Sequence, residues 1–122
     1  MLHHGYYFET KACQFLMLKG LNLLYRNYRS IYGEIDLIMQ DQTDIVFVEV
    51  RQRHHIDYGN ALESIHAGKI KKLTKTAIHF LQKKKWLYSV NSRFDLVLIH
   101  TTQNDAHFEW IKNAFTVDSG IV

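Results

Sequence analysis

The chain has 122 residues, of which 47% are hydrophobic and 22% charged, a balance typical of one folded domain. With no prolines and only six glycines, it does not belong to the collagen-like, Pro-rich or low-complexity classes. Its apolar runs are far shorter than the ~20 residues that span a bilayer, and no export signal opens it. A single cysteine, Cys13, excludes an internal disulfide and favours a reducing compartment. We therefore expect one cytoplasmic domain over residues 1–122, with no membrane association.

The charges are distributed unevenly along the chain. The segment Ser64–Phe94 contains eight Lys and Arg residues but neither Asp nor Glu, so its charge is +8. Because the net charge of the whole chain is +3, the rest of the chain has a charge of −5. This asymmetry predicts a basic surface suited to a polyanion and an acidic surface suited to a cation. From charge alone, a solvated helix face is the alternative.

The hydrophobic pattern predicts a helix, three strands, a second helix and two strands, in that order. The first helix ends near Gly20, a residue placed to cap it. The second begins with the Asn-x-x-Glu signature at Asn60 and Glu63. The predicted ranges are Tyr6–Lys19, Leu21–Tyr28, Glu34–Gln40, Ile45–Arg51, Asn60–Lys84, Phe94–His100 and Phe108–Phe115. This order favours an α/β fold with a mixed sheet flanked by helices.

The second and third strands form a hairpin that brings charged residues together. If the turn is centred on the bond between residues 42 and 43, Asp36 faces Glu49 and Glu34 faces Arg51. These four side chains then share one face, which nearer the turn carries Ile38, Ile45 and Phe47. The opposite face is apolar and predicted to be core: Ile35, Leu37, Met39, Val46, Val48 and Val50.

Two facing carboxylates repel each other, and this repulsion has to be offset. A divalent cation such as Mg²⁺ would offset it, because hard cations take oxygen ligands. The alternative is structural: Arg51 bridges Glu34, while Asp36 and Glu49 are solvated or protonated. Spacing alone does not decide between the two.

Two segments of the chain, Gly33-Glu34-Ile35-Asp36-Leu37-Ile38 and Val46-Phe47-Val48-Glu49-Val50-Arg51-Gln52-Arg53, resemble a known family signature. They are similar to the YraN-like uncharacterised bacterial proteins, which resemble archaeal Holliday-junction resolvases of the PD-(D/E)xK nuclease-like superfamily. The likeness continues through further positions along nearly the whole chain: Gly5, Glu9, Asn27, Arg29, Gly59, Ala61, Glu63, Ile65, Lys69, Arg93–Asp95 and Asn113–Phe115.

This resemblance implies a restriction-endonuclease-like fold with a central mixed sheet of about five strands. It also implies a metal-dependent phosphodiesterase site in which Glu9, Asp36 and Glu49 hold Mg²⁺ or Mn²⁺. The superfamily's lysine corresponds to Arg51, which remains protonated and cannot act as a general base. Arg51 would instead contact the scissile phosphate, or hold Glu34, and Lys69 or Lys72 of the second helix is a candidate for the lysine's role.

Two functions follow from the resemblance. One is an endonuclease acting on branched or structured DNA; the other is a nucleic-acid-binding module that has lost catalysis. In both, a basic surface would bind the nucleic-acid backbone through Arg29, Arg53, Lys69, Lys72 and Lys75. Because resolvases cut two strands, the resemblance also implies a homodimer, with Trp86 and Tyr88 as candidate interface residues.

Overall fold

The computed structural model describes residues 4–54 and 67–115, in which two helices flank a five-stranded sheet. The elements are α1 (His4–Leu18), β1 (Asn22–Ser30), β2 (Gly33–Asp41), β3 (Asp44–His54), α2 (Ala67–Lys83), β4 (Ser92–Thr101) and β5 (Ala106–Phe115). The predicted order of elements is confirmed, and the described ends lie within three residues of the predicted ones. The predicted start of the second helix, at Asn60 and Glu63, lies outside the described residues.

The strands lie side by side in chain order, from β1 to β5. Neighbouring strands are antiparallel except β3 and β4, which are parallel and are joined through α2. The predicted α/β fold with a central mixed sheet is therefore confirmed, and it is compatible with a restriction-endonuclease-like fold. Within the described ranges, neither helix has the length and apolar character needed to cross a bilayer.

Helix α1 ends in the capping arrangement that its sequence predicts. Gly20 has a φ of 101°, a conformation that favours glycine. Its amide donates to the Met17 carbonyl, and the Leu21 amide reaches back to the Leu16 carbonyl. Leu16 and Leu21 are both buried, which adds the apolar contact that often accompanies this cap. The cap therefore turns the chain directly from α1 into β1.

Each face of the sheet is covered by one helix. Ala12, Cys13 and Leu16 of α1 pack on one face of the sheet, whose contributions from the central hairpin are Leu37, Met39, Val46 and Val48. Leu73, Ala77, Phe80 and Leu81 of α2 pack on the other face, together with Ile38, Ile45 and Phe47. The predicted split of the hairpin into two apolar faces is thus confirmed for these residues.

The prediction is wrong for one residue of the hairpin. Ile35, which was expected on the opposite face, packs with Ile38 beneath α2. Residues three apart lie on opposite faces of a regular strand, so the alternation is interrupted between them. The register of β1 with β2 shifts between Leu23 and Tyr25, and Asn27, which lies opposite Asp36, has a φ of 53°. This local irregularity in the sheet lies at the position of a candidate metal ligand.

A buried ion-pair network joins β4 to β2 and β5. Asp95 is completely buried and accepts hydrogen bonds from Arg93 Nε at 3.0 Å, Trp110 Nε1 at 2.9 Å and the Asn113 amide at 3.0 Å. Arg93 also donates to Asp41 at 2.8 Å. Arg93 therefore belongs to this network. Its place in the basic segment of the sequence predicted that it contributes to the basic surface, and it does not.

Candidate active site

The candidate site lies where β2 and β3 separate. The two strands pair from Asp41↔Asp44 to Leu37↔Val48, the register that the sequence predicts. At the next position the backbone ladder ends, and the Asp36 carboxylate accepts a hydrogen bond from the Val50 amide at 2.8 Å. Asp36 is thereby held at the point where the strands open, next to Glu49.

The opening between the strands is a polar cavity of about 320 Å³ that draws residues from both helices. Asp36 and Glu49 line it, as predicted from the hairpin register. Glu9 reaches it from α1 and Lys69 from α2. Its full lining is Gly5, Phe8, Glu9, Asp36, Glu49, Val50, Arg51, Gln52 and Lys69. The predicted acidic residues therefore converge on one volume.

A fourth carboxylate, Glu34, joins this cluster. Carboxylate oxygens of Glu9, Glu34 and Asp36 all lie within 4.8 Å of one another, close enough to share one cation. The sequence placed Glu34 on the same face as Asp36 but paired it with Arg51. That pairing is wrong, because the Glu34 carboxylate accepts a hydrogen bond from Arg29 Nε at 2.9 Å. The i, i+2 spacing of Glu34 and Asp36 was the available signal.

Burial and mutual repulsion perturb two of the carboxyl groups. Burial, reinforced by the negative charge of Asp36, raises the pKa of Glu49 from 4.5 to about 7 against the opposing effect of Lys69 and Arg51. Burial and Asp36 likewise raise the pKa of Glu9 to about 7, opposed by Asn27 and Arg26. Near neutral pH, then, these two groups are divided between their charged and neutral forms.

Two cations lie beside Glu49. Lys69 Nζ is 3.5 Å and Arg51 Nε 3.3 Å from the same oxygen, Oε2. The other oxygen, Oε1, is buried and has no hydrogen-bond partner among the described residues. Leaving a buried carboxylate oxygen unpaired is costly. When Glu49 is charged, this oxygen is therefore available to a ligand; when Glu49 is protonated, its carboxyl group hydrogen-bonds with Asp36.

The donor set fits a hard divalent cation. Mg²⁺ and Mn²⁺ favour carboxylate oxygens and retain waters, and the cavity has room for both. Glu9, Glu34 and Asp36 supply three carboxylate oxygens that lie close together. Glu49, which is not part of that group, lines the same cavity and has an unpaired Oε1. Neither a cysteine nor a histidine lines the cavity within the described residues, so the chemistry of the lining favours a hard cation over Zn²⁺.

The remaining residues predicted to bind nucleic acid lie around the tip of the β1–β2 hairpin. Arg29 precedes the tip and is 78% exposed. Lys75 Nζ lies 5.6 Å from the centre of the Tyr32 ring, and Lys72 is exposed on α2 beside Gly33. Lys69 instead lies in the acidic cavity. It is one of the two lysines predicted from the sequence as candidates for the role of the lysine that Arg51 replaces. The side chain of Arg53 lies outside the described residues.

Comparison with known proteins places the whole arrangement in a family. The model of the uncharacterised protein family UPF0102 matches residues 8–99, a range that contains Glu9, Asp36, Glu49 and Lys69. The chain belongs to the UPF0102 family. The predicted YraN-like membership is confirmed in this form.

Relatives in the UPF0102 family match over nearly their full length. A UPF0102 protein of Methylobacillus flagellatus is 46% identical, with 88% of this chain and 92% of the relative covered. One from Pseudomonas putida is 44% identical over 88% and 87% of the two chains. One from Coxiella burnetii is 41% identical over 93% and 92%. The candidate site thus lies within the part of the chain that these proteins share.

Proposed function

We propose that this UPF0102 protein is a cytoplasmic metal-dependent endonuclease that binds branched or structured DNA. The observation that carries the proposal is the environment of Glu49. This residue is buried beside Asp36, its Oε2 contacts Lys69, and its Oε1 has no hydrogen-bond partner among the described residues. Most buried carboxylates have both oxygens hydrogen-bonded, so the unpaired oxygen of charged Glu49 supports a bound ligand. A bound cation would account for the acidic side chains in this cavity, and a bound phosphate would account for the positively charged ones.

Glu9, Asp36 and Glu49, with Glu34, are the residues that would hold Mg²⁺ or Mn²⁺. When bound, such an ion lowers the pKa of water and offsets charge on the phosphate. In hydrolysis a water oxygen forms a bond to phosphorus, the bond to the leaving sugar oxygen breaks, and that oxygen takes up a proton. The proton lost by the water passes to bulk solvent.

Lys69 takes the role of the superfamily lysine. Its ammonium group lies 3.5 Å from Glu49, where it can hold the attacking water or stabilise charge on the phosphate. Arg51 stays protonated and binds a phosphate oxygen. In this arrangement the arginine at position 51 is compatible with catalysis, because the lysine arrives from α2.

The test is cleavage of a labelled four-way junction with Mn²⁺ or Mg²⁺. We expect cleavage by the natural chain, loss with Glu49→Ala, and a large loss with Lys69→Ala. A matched control is Glu109→Gln on β5, whose carboxylate is exposed and bonded to His100. No cleavage by the natural chain under any metal condition would contradict the proposal.

A second function is favoured by Arg51: a nucleic-acid-binding module without catalysis. Its side chain occupies the position of the superfamily lysine and pairs with Glu49. This function predicts junction binding without cleavage, and cleavage that appears in Arg51→Lys. The same experiment therefore separates the two functions.

Dimer formation is part of the proposal, since cutting both strands of a junction requires two sites. Tyr88 is 89% exposed and available to a partner. Trp86 packs edge-on against Phe80 in the α2 cluster, which favours a role in the monomer core. The mass of the protein in solution, with Tyr88→Ala for comparison, tests this part.

A further inference from the structure

The tip of the β1–β2 hairpin carries an apolar side chain that folding does not explain. Ile31 is 92% exposed, the most exposed of the large hydrophobic residues in the described ranges. With Tyr32 it forms a two-residue turn between the paired Ser30 and Gly33. Asn, Asp and Gly are the common residues of such turns, whereas Ile31 is a large apolar residue that is not buried there. A local departure of this kind without a gain in packing indicates a functional site.

The hairpin that presents Ile31 is hydrogen-bonded to α2. Ser30 Oγ lies 3.1 Å from the buried Thr76 Oγ1 of α2, and Ser30 also accepts the Tyr32 amide at 3.0 Å. Gly33 has a φ of 154°, and a Cβ there would lie 3.6 Å from Lys72 Cβ and Thr76 Oγ1. The tip is therefore fastened to α2, while Ile31 projects into solvent.

The surroundings of the tip are basic. Lys72 and Lys75 are exposed beside it, with the Lys75 ammonium over the Tyr32 ring, and the exposed Arg29 is paired with Glu34. A second copy of this chain would bring the same positive charges against these residues, which opposes pairing of two tips. A polyanion is complementary to them. Nucleic acid is thus the partner that suits both the charges and the exposed apolar side chain.

The tip is also coupled to the candidate active site. Arg29 beside the tip bonds to Glu34, whose carboxylate lies within 4.8 Å of those of Glu9 and Asp36. Ile31 precedes Glu34 by three residues across the turn, and Glu34 pairs with Arg29 on the other side of the hairpin. The tip therefore adjoins the strand that carries Glu34 and Asp36.

We infer that Ile31 is a wedge that inserts between bases at the branch point of the nucleic acid bound in the adjacent site. Apolar side chains of this size unstack base steps in DNA, and a branch point has already lost part of its stacking. The inference rests on the proposed function and specifies its substrate: a strand with a discontinuity in stacking close to the scissile phosphate. Tyr32 and Lys75 support the wedge from the α2 side.

The test is binding without metal, in chelator, so that cleavage does not interfere. Affinities for a four-way junction and for a linear duplex of the same sequence are measured by fluorescence anisotropy. We expect the natural chain to prefer the junction, and Ile31→Ala to lower this preference about tenfold while the duplex affinity stays the same. Leu18→Ala, an 88% exposed leucine at the end of α1, is the matched control and leaves the preference unchanged. A 2-aminopurine at the branch brightens with the natural chain and not with Ile31→Ala.

An unchanged preference in Ile31→Ala overturns the wedge. So does a change from dimer to monomer in that variant, measured by light scattering, because the tip would then be an interface between copies. Junction preference that depends on Ile31 without metal-dependent cleavage supports the wedge and contradicts the proposed catalysis. Cleavage that depends on Glu49 but is unaffected by Ile31→Ala, with its position unchanged relative to the branch, supports catalysis and overturns the wedge.

Discussion

Replacing Glu49 by glutamine tests the electrostatics of the site through protein stability. Glu49 is 6% exposed, and its pKa is raised from 4.5 to about 7 by burial and by Asp36. The folded protein therefore binds a proton here more tightly than the unfolded chain, so stability decreases as the pH rises from about 4.5 to 7. At about 1.4 kcal/mol per pKa unit, the charged carboxylate costs about 3 kcal/mol at pH 8. Glutamine resembles the protonated form and avoids that cost.

We expect Glu49→Gln to be more stable than the natural chain by about 2 to 3 kcal/mol at pH 8 in chelator, and equally stable at pH 4.5. Urea unfolding at both pH values gives the two free energies. Glu109→Gln, at an exposed position on β5, should stay within about 0.5 kcal/mol of the natural chain. If Glu49→Gln is no more stable than the natural chain at pH 8, the charged Glu49 carboxylate does not destabilise the folded protein and this reasoning is wrong.

Three further predictions follow from the same contacts. Lys69→Ala should lower junction cleavage at least ~100-fold, as loss of one stabilising donor does elsewhere, whereas Arg51→Lys should keep most activity; both are measured as single-turnover rates. Asp95→Ala should lower the free energy of unfolding in urea by about 3 kcal/mol, because it leaves Arg93 Nε and the Trp110 indole N–H without their acceptor inside the protein; retention of normal stability would refute this. Mn²⁺ affinity should rise from pH 6 to pH 8 in calorimetric titrations, because the two glutamates of raised pKa release protons on binding; a flat profile would count against them as ligands.

Much of the fold follows from local patterns. Alternation in the central hairpin, together with a turn of fixed length, predicts the pairing of Leu37 with Val48, and the structure has that register. Gly20 predicts the end of α1 because few other residues adopt its backbone conformation readily. The position of Ile35 was not predictable in this way. It depends on an irregularity at Asn27 in the neighbouring strand, and alternation within one strand contains no information about that.

The site was predictable in part. Facing carboxylates follow from the hairpin register, and Glu9 came from family resemblance rather than from spacing. The position of Lys69 beside Glu49 depends on how α2 packs on the sheet, a long-range result of the apolar cluster around Phe80. Pairing of Arg29 with Glu34 likewise depends on the β1–β2 register, whereas the spacing within the β2–β3 hairpin predicts contacts between those two strands only.

Metal binding is the most direct test of the candidate site, because it depends on the carboxylates alone. Titration of the protein with Mn²⁺ at pH 8, followed by calorimetry and electron paramagnetic resonance, measures affinity and stoichiometry. We expect the natural chain to bind Mn²⁺ and Asp36→Asn to bind it at least ~10-fold more weakly, while Asp105→Asn, at an exposed turn, binds it normally. Equal Mn²⁺ binding by the natural chain and Asp36→Asn, or none by either, would contradict the assignment of this site.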